Sequence, residues 1–173
     1  AETRDEPRLD LLLRCAQVAR DDAGDPDAAR ACFERAARID PLRADAVEPL
    51  VSMLADAGEP AAIRAVRERE IEALLRRGGE GDAARARTLR RELAGVAVRF
   101  EDAPAAVADA LALLADGDPT AEELGLAREV YGRFGADPAL YDALAEALDL
   151  AEDLPAWSVF FSPWPTPFRT TRT

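Results

Sequence analysis

The chain has no lysine, no histidine and no asparagine, and all 22 of its basic residues are arginine. Without histidine there is no conventional serine or cysteine triad. Without lysine there is neither a Schiff base nor a phosphate-binding loop of the G-x-x-x-x-G-K type. Two cysteines, Cys15 and Cys32, are too few for a closed four-ligand zinc site. They are expected to be buried small hydrophobes on neighbouring helices, with a disulfide as the alternative in an oxidising compartment. No apolar run nears the roughly 18 residues that span a bilayer. The opening AETRDEPRLD also lacks the basic and apolar regions of a secretion signal. The expected location is therefore cytoplasmic, with a signal removed ahead of Ala1 left open. The all-arginine bias points to a GC-rich genome, and so to a bacterial source.

The net charge of −12 disfavours nucleic acid as a partner, because phosphate binding rests on cationic side chains. The charge is uneven: between Arg64 and Glu92 lie nine arginines and six acids. Two readings fit. The segment is a solvated helix face laced with i,i+4 pairs such as Arg64–Glu68 and Glu72–Arg76, or a docking patch for an acidic partner. Paired carboxylates such as Asp21/Asp22, Glu101/Asp102 and Glu122/Glu123 are adjacent in sequence. On a helix they diverge by about 100° and do not face one substrate. GGEGD at 78–82 reads as a linker between repeats, and DPDAARACFE lacks the ligand spacing of a calcium loop. No catalytic, cofactor-binding or metal-binding residue is assigned and no cofactor is expected. An enzyme of carboxylate chemistry is a minor alternative, requiring carboxylates that converge in one pocket about 5–9 Å apart.

What the chain has in quantity is alanine and leucine, which lose little side-chain freedom in helices. It also repeats. DAGDP at Asp22–Pro26 returns as DAGEP at Asp56–Pro60, 34 residues later, and VAVRFEDAPA at Val96–Ala105 returns, loosely, as VYGRFGADPA at Val130–Ala139. In the first two turns a glycine can end one helix, an acid can cap the next, and a proline takes the first helical position, where its missing N–H costs nothing. Apolar residues three and four apart flank the first turn: Leu12, Ala16, Ala19, then Ala29, Phe33, Ala36. Helices are expected near 9–22, 27–39, 45–57, 61–77, 82–101, 105–116, 121–134 and 139–152. Capping boxes are expected at Asp45/Glu48 and Thr120/Glu123. Pro49 conflicts locally, since it removes a backbone hydrogen bond or bends its helix. One hairpin cannot bury its stripe but stacked neighbours can, so the fold class is all-α: an α-solenoid of about four antiparallel hairpins. The expected organisation is an N-terminal extension at 1–8 and an array at 9–154, with units near 9–42, 43–81, 82–119 and 120–154.

AARACFERAARIDP carries Ala29, Phe33, Ala36 and Pro41 at the offsets A-x3-F-x2-A-x4-P, which resembles the second half of a tetratricopeptide repeat, as does the 34-residue interval. The third unit matches through Gly95, Val107, Leu111, Leu114 and Pro119; the second departs, with Arg67 and Glu70 where small or apolar residues are usual. The resemblance implies a right-handed superhelix whose first-of-pair helices line a concave groove for a protein or peptide. In that register the groove residues are Arg14, Val18, Asp21, Glu48, Ser52, Glu92, Val96, Arg99, Val130 and Arg133. Lysine and asparagine, which members of that family use to grip terminal carboxylates, are absent; Arg14, Arg99 and Arg133 could take an acidic segment bidentately instead. The expected function is a non-catalytic protein-interaction scaffold. A repeat segment serving as the sensor arm of a larger regulator, such as a kinase or transcription activator, is the alternative.

After Asp153 the composition changes. LPAWSVFFSPWPTPFRTTRT has no acid but holds both tryptophans. Residues 155–173 are read as a tail in which Trp157, Phe160 and Phe161 cap the last hairpin or anchor a partner, or as a fragment-end artefact.

Overall fold

The computed structural model describes residues 5–115, 118–135 and 137–150. Among them are eight α-helices: α1 (Glu6–Asp21), α2 (Pro26–Ile39), α3 (Ala44–Asp56), α4 (Pro60–Arg77), α5 (Asp82–Arg99), α6 (Ala103–Ala115), α7 (Ala121–Phe134) and α8 (Pro138–Leu150). The protein is all-α, and its helices pack in neighbouring pairs. Two compact units divide the chain, Ala1–Asp109 and Ala110–Thr173, with the division inside α6. The tail residues Trp157, Phe160 and Phe161 lie outside the described residues. The N-terminal extension is shorter than expected, because α1 begins at Glu6 with Pro7 in its first turn.

The recurring prolines sit where the 34-residue spacing placed them. Pro26, Pro60 and Pro138 open α2, α4 and α8, and Pro104 is the second residue of α6. Just before the cap, Gly24 and Gly58 adopt φ of 60° and 69°, and Glu101 does so too, at 60°. The same backbone bond closes two of these turns: Glu59 N–H donates to the Leu54 carbonyl and Asp102 N–H to that of Ala97, both at 2.9 Å. Asp25, Asp102 and Asp137 accept from the N–H three residues on, at 2.9, 3.2 and 3.0 Å. Glu59 is the exception. One methylene longer, it makes no cap and instead takes a bidentate bond from Arg30 of α2 at 2.6 and 2.7 Å.

The first unit has a continuous core. Leu9, Leu12 and Ala16 of α1 meet Ala29, Phe33 and Ala36 of α2, then Val47, Leu50 and Leu54 of α3 and Ile63 of α4. A second cluster joins Ile71 and Leu74 of α4 to Ala86, Leu89 and Leu93 of α5. Pro49 is accommodated within a continuous α3. In the second unit, α7 starts with a complete capping box: Glu123 N–H donates to the Thr120 hydroxyl oxygen, and Thr120 N–H donates to Glu123 Oε2 at 2.8 Å. The other expected box does not form. α3 starts one residue early, with Arg43 at its cap; Arg43 draws Asp45 into an ion pair at 3.0 Å, and Glu48 points to α4.

Candidate partner-binding faces

In the first unit, ion pairs join helices two apart in sequence. Arg43, at the start of α3, reaches Glu6 of α1 at 3.0 Å and Asp10 at 3.5 Å; Arg85 of α5 reaches Glu48 of α3 at 3.5 Å. On the other side, Arg30 of α2 holds Glu59 at the start of α4, and Arg64 of α4 holds Asp109 of α6 bidentately at 2.9 and 2.6 Å. Within this unit α1, α3 and α5 therefore form one row, and α2, α4 and the start of α6 another.

The odd row carries most of the residues that sequence reasoning assigned to a partner. Arg14, Val18 and Ser52 are exposed, and among the described residues Arg14 makes no ion pair. Asp21 is exposed but held by Arg20 at 2.7 Å, which lowers its carboxyl below the usual range. Glu48 and Glu92 both enter the network around Arg67. Val96 is half-buried against the core of α1–α4. Arg99 lies over the Phe100 ring at 5.2 Å. In the second unit, Arg133 lies over Phe134 at 5.9 Å. Val130 corrects the expectation: it is 0 % exposed, a core residue of its unit with Leu124 and Ala127, and its side chain reaches no surface. Cys15 is corrected as well. It is free and exposed, while free Cys32 packs partly buried on the core.

Arg67 and Glu70, noted only as departures from a repeat pattern, prove to organise the row. Arg67 is 6 % exposed and Glu70 8 %. Arg67 donates to both oxygens of Glu48 at 2.9 Å and to Glu70 at 2.7 Å, and Glu92 lies 3.6 Å away. Arg85 adds contacts at 3.5 Å to Glu48 and Glu70. Burial alone would lower the Arg67 pKa, but its bonds to Glu48 and Glu70 outweigh that and raise it. The bond from Arg67 lowers that of Glu48. Three carboxylates converge here, the arrangement an enzyme of carboxylate chemistry would require. Each lies beside a guanidinium, that of Arg67. Arg85 was not foreseen; its charge on α5 opposite Glu48 was the available signal.

The arginine-rich segment is largely spent on such pairs. Arg64 meets Glu68 at 3.7 Å but binds Asp109 more closely, and the expected Glu72–Arg76 pair does not form. In the α4–α5 loop Arg77 and the Gly79 N–H both bind Asp82, and these bonds take its carboxyl down to about 2.

A cleft of about 370 Å³ opens between α2 and α4, floored by Leu50 and Leu54 of α3, walled by Ala37 and Ala62, with Arg38 and Arg69 among its lining. The small side chains of the alanines leave the room. Among the described residues no cluster of His, Cys, Asp or Glu could hold a metal ion, and no helix is long and apolar enough to cross a membrane. No family model matches this sequence, and neither a curated protein nor a solved structure matches it.

Proposed function

We propose that the chain is a non-catalytic scaffold of the tetratricopeptide-repeat kind, which binds a protein or peptide along α1, α3 and α5. The observation that supports this best is the lateral tie from α1 to α3 and from α3 to α5, through Arg43 and Arg85. It sets three helices side by side and leaves Arg14, Ser52 and Glu92 exposed along one row. Such a row is long enough to meet several turns of a partner, and its polar side chains can read a sequence rather than merely adhere to it. Arg14 and Arg99, with fixed guanidinium forks, suit acidic side chains on that partner. A cytoplasmic location belongs to the same proposal.

A photo-crosslinking residue placed at Ser52 or Arg14 tests the reading, with Ala61 and Arg35 on the even row as controls. Covalent adducts with one cellular protein from the odd-row positions, absent from the controls, are expected. Adducts of equal yield from both rows, or from neither, reject it.

A further inference from the structure

α1 carries a second stripe that its own fold leaves uncovered. Arg8, Leu11, Cys15, Val18 and Asp22 are spaced three, four, three and four residues apart, the heptad spacing of a helix–helix seam, and all five are exposed. Leu11 and Val18 are 62 % and 54 % exposed, the two most exposed large hydrophobic residues described. At about 100° per residue the stripe lies about 120° around the helix from the buried Leu9, Leu12 and Ala16. It is also turned away from Glu6 and Asp10, which reach toward α3. The stripe therefore faces outward from α1, on a side that no described helix covers.

The stripe is symmetric about Cys15. Lay a second α1 across it in antiparallel sense and Cys15 meets Cys15, Leu11 meets Val18, and Arg8 meets Asp22. Among the described residues neither Arg8 nor Asp22 has an ion pair of its own. An antiparallel copy supplies both charges at once, and a parallel copy would set like charges against each other. We infer that two copies of this chain associate through antiparallel α1 helices, with a two-fold axis passing beside Cys15. This goes beyond the partner proposed for the odd row and uses a different side of α1, sharing only Val18 at its margin. The contact is two helices of about 24 Å. It therefore belongs with interfaces below about 1,200 Å², and the dimer is weak and dependent on concentration.

Sedimentation velocity of the full 173-residue chain under reducing conditions, from micromolar to near-millimolar, is the test. The expected result is a monomer that becomes a dimer as concentration rises. Leu11→Asp should raise the dissociation constant at least tenfold with the helical circular dichroism unchanged. Arg8→Asp alone should weaken association several-fold, and adding Asp22→Arg should restore it to within about twofold. Oxidation with copper phenanthroline should give a covalent dimer, two Cys15 thiols losing two protons and two electrons to two Cu(II). Cys32→Ser should keep that product and Cys15→Ser abolish it. Monomer mass at every concentration overturns the inference, whether because the end binds another protein or because it binds nothing. A dimer indifferent to Leu11→Asp, or a double charge swap no better than the single, overturns it equally.

Discussion

Phe33 of α2 and Arg67 of α4 stand 34 residues apart at the same place in successive hairpins, and the fold buries both, to 1 % and 6 % exposure. Around Phe33 are Ala29 and Ala36, each fully buried; at the offset of Ala36 the second hairpin has Glu70. The backbone plan therefore asks this position for volume, and either a ring or a neutralised guanidinium fills it. The two solutions differ in what they depend on. Phe33 is held by apolar area, which tolerates small shifts. Arg67 is held by bonds with direction, and each carboxylate removed leaves it costlier to bury.

The sharpest way to break that comparison is to truncate both sides of it. Phe33→Ala should cost about 4 kcal/mol, seen as an earlier urea midpoint with little change in slope. Arg67→Ala should cost about 3 kcal/mol, because it strands the buried Glu70. The double replacement Arg67→Leu with Glu70→Leu should return to within about 1 kcal/mol of the parent, since apolar side chains of similar volume often match a buried ion pair. If the double variant stays as unstable as the single one, this site requires charge and not merely volume. The turns extend the contrast at smaller scale. Asp25→Ala removes a cap and should cost about 1 kcal/mol, whereas Glu59→Ala removes only a half-exposed ion pair and should cost less.

The smallest expected effect is in pH. Bonds from Arg77 and Gly79 hold Asp82 at about 2 when folded, below the ordinary aspartate value near 4. Its contribution is therefore complete above about pH 4 and disappears as pH falls through about 2. Asp82→Asn should be less stable than the parent at neutral pH, and the two should converge in acid urea melts. A gap that persists at pH 2 would assign the bond's worth to geometry instead of charge.

All eight helices could be read from the sequence, because glycine, acid and proline at the turns and alanine and leucine at 3.6-residue spacing gave agreeing local signals. What could not be read were contacts across helices. Nothing near Glu59 in sequence indicates that it binds Arg30 rather than capping α4, because a longer side chain is equally able to reach inward or outward. Asp45 and Glu48 carry the spacing of a capping box, yet Arg43 and Arg67 claim them first. Val130 looked like a groove residue by register alone, but register does not set which valines a loosely matching hairpin turns inward. Arg14 and Ser52 are exposed, as their register predicts.

The two rows of the first unit also differ in how wet their fastenings are. Along the odd row the tie from Arg43 to Glu6 has side chains 32 % and 64 % exposed, whereas along the even row the Arg64–Asp109 tie is at 23 % and 12 %. Mobile ions reach the first far more readily than the second. Rising ionic strength should therefore weaken the Arg43–Glu6 tie before the Arg64–Asp109 tie, while the buried Arg67, bound to Glu48 of α3 and near Glu92 of α5, keeps those two helices fastened.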